Sequence, residues 1–371
     1  MKFIDLDSQQ KIIRENLENR LLAVLDHGKY IMGPEVLDLE EKLAKYVGVN
    51  HCVTCASGTD ALLIPLMAKR IGPGDAVITS PFTYIATAEV IALLGAEPVF
   101  VDVYPNTFNI NPYKIENAIK RARSKGLVPK AIIPVDLFGL PSRYRVINEI
   151  ANQESLFIIE DAAQGFGSSI RSKKAGSFGN VASTSFFPAK PLGCYGDGGA
   201  IFTNDEQLAE IMKSIRIHGS GVDKYENIRI GINGRLDTIQ AAILLEKLSI
   251  FDNELKMRNK VARYYSERIC SKFQKPYVPD KYFSSWAQFS ILANDREHRD
   301  FCIKKLSRKH IPSMIYYQTP LHLQPVFKNL NYSKGDFPIS EKIAERIFSI
   351  PMHPYLSQID QDLIIKVLNS E

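Results

Sequence analysis

The chain has 371 residues, more than a single hydrophobic core usually serves, so two domains are expected. Hydrophobic residues make up 45% and charged residues 23%, a balance that excludes an intrinsically disordered chain. The net charge of +5 is small for this length and comes without a concentrated basic stripe, so no nucleic-acid binding is expected.

The N-terminal segment and the cysteines indicate the compartment. Residues 1–7 carry acids where a secretory signal would have an apolar core, and no apolar stretch is long enough to span a bilayer. The sequence therefore predicts a cytoplasmic protein without a membrane partner. Five cysteines, an odd number, argue against a disulfide framework. Cys52 and Cys55 form a C-x-x-C pair, but no second pair completes a zinc site, so no metal is expected.

Seven short apolar runs alternate with segments of helical pattern between about residues 50 and 205. This alternation predicts buried parallel strands in an α/β layered fold, although periodicity alone does not exclude a short buried helix for any single run. The predicted strands cover residues 51–55, 76–79, 98–102, 131–135, 156–160, 181–185 and 200–203.

Apolar stripes at helical spacing predict three helices before and after this part of the chain. One begins after Gly33, a second follows the capping candidates Asn204 and Asp205, and a third covers residues 236 to about 248.

The pattern changes beyond about residue 251. A long helix over about residues 256–270 is predicted there, followed by mixed strands with proline turn signals. We therefore expect a large domain over residues 1–250, whose N-terminal segment can pack on the small domain, and a small α+β domain over residues 251–371.

The segment over residues 183–199 carries the most chemical information. A strand ends in hydroxyl residues, a turn follows, and Lys190 stands at its tip before a glycine-rich return. A lysine in such a place can form a Schiff base with an aldehyde if its surroundings keep part of it neutral, and Ser185 can donate to a phosphate. Taken alone, however, a lysine is more often a surface residue.

A second motif covers residues 156–164, where an apolar strand ends at Asp161. Open α/β sheets bind ligands at the carboxyl ends of their strands. A carboxylate held there can keep a pyridine nitrogen protonated, which makes the ring an electron sink. The alternative is that Asp161 only caps a helix that begins at Ala162.

Two further segments follow predicted strands. Residues 56–62, with Gly58 and Thr59, lead into a helix whose free N–H groups suit a phosphate, although no P-loop sequence occurs. Tyr84 follows another strand and can stack on a planar ring, although such aromatics are more often core residues. No dinucleotide fingerprint is present, so NAD is not expected.

Together these segments resemble the fold-type I pyridoxal-phosphate (PLP) aminotransferases of the DegT/DnrJ/EryC1/StrS family, which act on nucleotide-linked sugars. The similarity extends nearly from end to end and implies an α/β fold: a mostly parallel seven-stranded sheet flanked by helices, with a smaller α+β C-terminal domain. Its segments are residues 30–36, 57–59, 82–87, 160–164, 185–190, 233–237, 320–325 and 351–354.

The resemblance implies a role for each candidate residue. Lys190 would hold the cofactor and move a proton, and Asp161 would bond the ring nitrogen. Gln164 would contact the ring hydroxyl, and Tyr84 would stack on the ring. The phosphate ligands would be Gly58, Thr59, Ser185 and, from a second subunit, Asn233. The last residue implies a homodimer with shared active sites, and the usual donor in the family is glutamate.

Residues 191–202 and the surroundings of Asn233 are most similar to enzymes that aminate C3 of UDP-2-acetamido-3-keto-glucuronate, which implies a role in cell-surface polysaccharide biosynthesis, such as that of lipopolysaccharide. A uronate carboxylate needs a fixed cation, and Arg229 is a candidate, with a surface ion pair as the alternative. The other candidate substrate contacts are Tyr316, Tyr317 and His322. Tyr316 stands where relatives often have histidine, and a phenol cannot supply that charge.

Two alternatives stay open. An aminotransferase for a 4-keto-6-deoxy or 3-keto-6-deoxy nucleotide sugar would use the same cofactor residues and would have no carboxylate to bind. A non-catalytic regulator with this fold belongs to a different class, but it has no need of an electron sink paired with a Schiff-base lysine. Dehydratases that resemble the pattern carry histidine at the position of Lys190.

Overall fold

The computed structural model describes residues 1–223 and 225–370. The α-helices are α1 (Leu6–His27), α2 (Pro34–Val47), α3 (Gly58–Ala68), α4 (Ala86–Leu93), α5 (Ile115–Ser124), α6 (Tyr144–Glu154), α7 (Glu206–Arg216), α8 (Thr238–Arg268), α9 (Arg296–Arg308), α10 (Pro338–Arg346) and α11 (Gln358–Asn369). The strands are β1 (His51–Cys55), β2 (Asp75–Thr79), β3 (Glu97–Phe100), β4 (Val128–Ile133), β5 (Phe157–Asp161), β6 (Ser169–Ile170), β7 (Lys173–Lys174), β8 (Val181–Ser185), β9 (Gly199–Thr203), β10 (Tyr282–Phe283), β11 (Phe289–Leu292) and β12 (Ile347–Ile350). Short 3-10 helices cover Pro112–Lys114, Leu137–Gly139, Leu321–Leu323 and Pro325–Leu330.

The central sheet has seven strands in the order β1-β9-β8-β5-β4-β2-β3. Each predicted apolar run forms one of these strands, with small shifts at the ends. β9 differs from the prediction because it pairs antiparallel with both β1 and β8. The connection explains this direction: no helix lies between β8 and β9, so the chain turns back directly, whereas parallel neighbours need a longer crossover. The mostly parallel sheet of the predicted fold class is confirmed.

Both faces of the sheet are covered by helices, which is why its strands are almost continuously apolar. Along β2, Val77 packs in a cluster with α3, α4 and α7, whereas Ala76 and Ile78 pack in a second cluster with α5 and α6. Each fully buried aliphatic side chain of this kind contributes about 1.5–3 kcal/mol. The sheet is therefore a rigid support for residues at its edges.

The predicted helix starts agree with the structure in two places. Pro34 opens α2 directly after Gly33. Asp205 caps α7, where its Oδ1 accepts a hydrogen bond from the Leu208 N–H at 2.9 Å. The capping side chain satisfies one of the free N–H groups of the first turn and so fixes where the helix begins.

The two helices predicted over residues 236–248 and about 256–270 are one continuous helix. α8 has 31 residues, and no glycine or proline interrupts it. Its first half packs against the large sheet, and its second half packs in a separate cluster with α9, α11, β11 and β12. The predicted domain boundary after residue 250 falls inside this helix, and the division into two domains stays a prediction.

The N-terminal helix contacts α8 through a buried hydrogen bond. Gln9 Nε2 donates to both carboxylate oxygens of Glu254, at 2.9 and 3.0 Å. The segment before the helix contacts the C-terminal part of the chain, where the N–H of Met352 donates to the Phe3 carbonyl at 3.3 Å. Within residues 1–223 and 225–370, we find neither a helix suited to crossing a membrane nor a cluster of side chains that could hold a metal ion. None of the five cysteines, which all lie in the described ranges, forms a disulfide.

Candidate active site

The carboxyl ends of β1, β2, β5 and β8 lie at one edge of the central sheet, because these strands run in the same direction. Most of the candidate cofactor residues either end one of these strands or lie within five residues after its end. They are Gly58, Thr59, Tyr84, Asp161, Gln164, Ser185 and Lys190. The fold therefore brings together residues that are up to 132 positions apart (190 minus 58) in the sequence.

Asp161 is the last residue of β5, and only 4% of its surface is exposed. Its Oδ2 accepts a hydrogen bond from Thr87 Oγ1 at 2.9 Å, and its Oδ1 accepts one from the Ala163 N–H at 3.2 Å. Burial raises the pKa of Asp161, while the two hydrogen bonds and the charge of Lys190 lower it. Turns rather than a helix follow Ala162, so Asp161 does not cap a helix.

Lys190 lies in the turn after β8, where its backbone N–H donates to the Phe187 carbonyl at 2.8 Å. Its side chain is half-buried rather than on the open surface. Burial lowers the pKa of Lys190, and the nearby charge of Asp161 raises it. At a given pH the amine is therefore neutral more often than that of a surface lysine, which is the condition for a nucleophilic lysine.

Gly58 and Ser185 are in direct contact at the start of α3. A Cβ at Gly58 would lie 2.5 Å from Ser185 Cβ, so only glycine fits. Ser57 caps the helix with its hydroxyl, which accepts from the Asp60 N–H at 3.0 Å. The cap leaves the N–H groups of Gly58 and Thr59 at the positive end of the helix dipole, beside the Ser185 hydroxyl. This arrangement suits a phosphate group.

Gln164 connects two parts of the site. Its Oε1 accepts from the Phe138 N–H at 2.7 Å, and its Nε2 donates to the Tyr317 hydroxyl at 3.0 Å. Tyr317 also lies 6.3 Å, between ring centroids, from Tyr84, whose side chain is exposed. The structure thus places Tyr317, a predicted substrate contact, directly beside two predicted cofactor contacts.

Arg229 and Asn233 belong to a hairpin-like segment that the structure describes over residues 217–223 and 225–233. Backbone pairing joins Ile217 with Asn233, and the Gly234 carbonyl accepts from the Ala56 N–H at 2.9 Å. The base of the segment is therefore attached beside the end of β1. Arg229 is half-buried and Asn233 is exposed. Neither side chain hydrogen-bonds to the residues described above within the part of the chain that the structure describes.

The other two candidate substrate residues are His322 and Tyr316. His322 is buried, and its Nε2 is 3.0 Å from Glu341 Oε1. It offers no surface to a ligand in this conformation. Tyr316 is half-buried, and its ring centroid lies 5.8 Å from that of Tyr317. The roles of both residues stay predictions.

The sequence reasoning missed two residues that support the site. The Thr87 hydroxyl donates a hydrogen bond to Asp161. Its position three residues after Tyr84, at the start of α4, is the feature of the sequence that could have indicated this role. Lys247 of α8 is fully buried, and its Nζ donates to the Gly193 carbonyl at 2.7 Å in the return after Lys190. The long distance in sequence between Lys247 and this loop left no signal.

Comparison with known proteins identifies the family. The model of the DegT/DnrJ/EryC1/StrS aminotransferase family matches residues 11–369. The chain belongs to this family. The match covers nearly all of the chain and confirms the predicted family and enzyme class.

One curated relative and two solved structures show how similar family members are. UDP-2-acetamido-2-deoxy-3-oxo-D-glucuronate aminotransferase of Pseudomonas aeruginosa is 44% identical over 371 residues, which is all of both chains. The crystal structure of a DegT DnrJ EryC1 StrS aminotransferase from Brucella abortus has 52% identity and a TM-score of 0.96, and covers 100% of this chain and 99% of that one. NtdA from Bacillus subtilis, with the bound cofactor PMP, has 30% identity and a TM-score of 0.89, with 99% and 82% covered.

These similarities confirm the predicted fold class, and the PMP-bound relative confirms the predicted cofactor at the level of the family. The individual site residues of this chain stay predictions.

Proposed function

We propose that the chain transfers an amino group from glutamate to C3 of UDP-2-acetamido-3-keto-glucuronate, with PLP held by Lys190. The observation that carries the proposal is the pairing of a half-buried lysine, with a lowered pKa, and a buried carboxylate at the carboxyl edge of the sheet. The substrate is supported by the 44% identical relative that acts on this sugar. The reaction would supply amino sugars for cell-surface polysaccharide such as lipopolysaccharide.

The residues present fit the cofactor. The open N–H groups of Gly58 and Thr59, with the Ser185 hydroxyl, would hold the phosphate. Asp161 would hold a proton on the ring nitrogen, and Gln164 would contact the ring hydroxyl. When bound, PLP supplies an aldehyde for amines and a ring that withdraws electrons.

Lys190 has two roles in the proposed reaction. Its neutral amine would bond the cofactor, and once displaced by the amino donor it would act as general base and then as general acid at the donor Cα. The lowered pKa of Lys190 keeps the amine ready to accept that proton. Burial raises the pKa of Asp161, and the hydrogen bonds from Thr87 and Ala163 oppose that rise and favour the ionised form that the ring would require.

The acceptor sugar would be recognised by the segment over residues 217–233 and by the residues near Tyr317. The Arg229 guanidinium would bind the uronate carboxylate through two parallel hydrogen bonds. A 4-keto-6-deoxy or 3-keto-6-deoxy acceptor has no carboxylate and would not use this cation. The tyrosine at position 316 makes Arg229 more important, since no imidazole charge is available there.

A homodimer would complete the site. Asn233 is exposed in a segment in which Val222 is fully exposed and Ile230 is largely exposed. Exposed apolar residues of this kind mark interaction surfaces. A second copy of the chain would cover them and place Asn233 at the phosphate of its neighbour. The cytoplasmic location stays a prediction.

The test is the visible absorbance of the purified protein while a UDP-linked 3-amino uronate is added, which runs the sugar half-reaction backwards. We expect the band of the lysine-bound cofactor to disappear as the amino group is transferred. A UDP-linked sugar with a 3-amino group but no carboxylate is the matched control, and should react far more slowly.

Each other outcome corrects a different part of the proposal. If the band persists with the 3-amino uronate but disappears with glutamate, the protein is an aminotransferase for another sugar. If no band forms even after PLP is supplied, the proposed role of Lys190 is wrong, and the non-catalytic regulator becomes the better interpretation.

A further inference from the structure

Two carboxyl groups are fully buried directly behind the candidate site. Glu160 precedes Asp161 in β5, and Asp136 begins the turn after β4; both are 0% exposed. The two side chains are near enough to each other for the charge of Glu160 to raise the pKa of Asp136. A hydrogen bond between two carboxyl groups requires that one of them carry a proton, because two carboxylates can only accept.

Glu160 is the acceptor of this hydrogen bond. Its Oε1 accepts from the Gly176 N–H at 2.6 Å, and its Oε2 accepts from the Phe178 N–H at 2.7 Å. Backbone N–H donors on both oxygens favour the ionised form of a carboxylate. A proton on either oxygen would weaken these two hydrogen bonds, because a neutral carboxyl group is a poorer acceptor than a carboxylate.

Asp136 has one oxygen free to carry the proton. Its Oδ1 accepts from the Ser142 N–H and from the Tyr144 hydroxyl, each at 2.8 Å. Its Oδ2 is buried and receives no hydrogen from any group in the described ranges. A Cβ at Gly165 would lie 2.8 Å from this Oδ2, so the backbone there closes the space on that side. An ionised Oδ2 would be a buried, unpaired charge beside a second carboxylate.

The groups around the pair cannot neutralise a second negative charge. The titratable neighbours are Tyr144 from α6, whose pKa the charges of both acids and of Asp161 raise, and Tyr282 from β10, whose pKa the charge of Asp136 raises. The cation Arg143 acts on Tyr282, but its guanidinium lies 4.5 Å from the centroid of the Tyr104 ring, and no ion pair to either acid is found within the described ranges. Burial and the charge of Glu160 raise the pKa of Asp136 well above its usual range, and burial also raises the pKa of Glu160.

We propose that Asp136 and Glu160 share a single proton, carried on Asp136 Oδ2, and that this pair positions Asp161 and Gln164. The first half is independent of the proposed function, and the second half rests on it. The Asp136 N–H donates to the Asp161 carbonyl at 3.0 Å, and Phe138 in the same turn donates to Gln164 Oε1 at 2.7 Å. Loss of the proton would place two like charges in contact and separate this turn from β5.

Infrared spectroscopy of the holoenzyme tests the proton directly. We expect the wild-type protein to show, near neutral pH, the C=O stretch of a protonated carboxylic acid that Asp136→Asn lacks. Absence of this band from the folded wild-type protein, or its persistence in Asp136→Asn, would overturn the proposal. The wild-type measurement does not depend on whether any variant folds.

Variants of the holoenzyme test the positioning. Asp136→Asn keeps a donor toward Glu160 and should keep PLP affinity within about threefold, whereas Asp136→Ala loses the donor and should lose at least about tenfold. Glu160→Gln places N–H against N–H and should resemble the alanine variant. If Asp136→Asn loses as much affinity as Asp136→Ala while Glu160→Gln keeps it, Glu160 carries the proton and the proposal fails.

Thermal melting gives a further readout with a defined sign. Because the folded protein holds a proton that the unfolded chain has lost above about pH 4, its stability should fall as pH rises toward the raised pKa. Asp136→Asn cannot take up this proton, so its melting temperature should depend less on pH between about pH 5 and 8. An equal pH dependence in both proteins would contradict the shared proton. Failure of the wild-type protein to bind PLP would instead count against the proposed function.

Discussion

The two halves of the candidate site differ in how firmly hydrogen bonds within one chain hold their side chains. On the cofactor side, Asp161 and Gln164 are each 4% exposed, and each is held by hydrogen bonds to neighbouring segments. On the substrate side, Arg229 lies in a segment whose apolar residues face outward, and the same segment carries Asn233, the proposed phosphate ligand of a neighbouring subunit. The difference indicates that hydrogen bonds within one chain hold Asp161 and Gln164, whereas no such bond is found for the side chains of Arg229 and Asn233 in the described part of the chain.

The largest expected effect is on the cofactor side. Lys190→Ala removes both the bond to the cofactor and the proton carrier, so steady-state transamination should fall by at least about 10²–10⁴-fold. Lys173→Ala is the matched control because that lysine is exposed, and it should retain full turnover. If Lys190→Ala keeps its turnover, Lys190 does not hold the cofactor, and the proposed cofactor site is wrong.

The next effect tests the substrate side. Arg229→Met should lower kcat/KM for the keto-uronate about 10- to 100-fold, the cost of losing a charged hydrogen-bond pair of about 1.5–3 kcal/mol. Arg229→Lys keeps the charge without the planar fork and should fall between wild type and Arg229→Met. A keto sugar without a carboxylate is the control, because its turnover should not change. Equal losses with both sugars would show that Arg229 supports the segment rather than the carboxylate.

The sequence predicted the cofactor side better than the substrate side, for a physical reason. Strand ends and the residues after them are local patterns, so Asp161, Ser185 and Lys190 could be placed from short apolar runs. Partners from distant segments have no such signal. The paired acids Asp136 and Glu160 and the bond from Lys247 to Gly193 emerge only when strands and α8 pack together.

The helix α8 shows the opposite error. The sequence pattern predicts two helices there, because the apolar stripe changes where the helix leaves one hydrophobic cluster and enters another. Backbone chemistry offered no break, and the chain continues through. Hydrophobic pattern reports which neighbours a helix has, so a change of neighbours can resemble an end.

A moderate effect is expected from the hydroxyl that holds Asp161. Thr87→Val removes the 2.9 Å hydrogen bond to Oδ2, and PLP affinity should fall several-fold, for a loss of about 1 kcal/mol. Because that bond favours the ionised carboxylate, its loss should raise the pKa of Asp161. PLP binding should then decline at a higher pH on acidification than in wild type. Thr87→Ser keeps the hydroxyl, so its PLP binding should depend on pH as in wild type. If PLP binding by Thr87→Val declines at the same acidic pH as in wild type, the pKa of Asp161 does not depend on this hydrogen bond.

The smallest effect on turnover is expected from Lys247, which touches the loop after Lys190 but not the candidate site. Lys247→Met removes the donor to the Gly193 carbonyl, yet the apolar chain fills the same space, so turnover should change less than about threefold.

Burial lowers the pKa of Lys247 to about 8, whereas the unfolded chain binds this proton up to the ordinary value of 10.5. The stability of the wild-type protein relative to Lys247→Met should therefore rise as pH increases from about 8 toward 10, because the unfolded state then holds the extra proton. Melting temperatures at several pH values measure this difference. If the difference in melting temperature is constant with pH, burial does not lower the pKa of Lys247. If Lys247→Met loses much turnover, the hydrogen bond to Gly193 is needed to hold the loop after Lys190 in place.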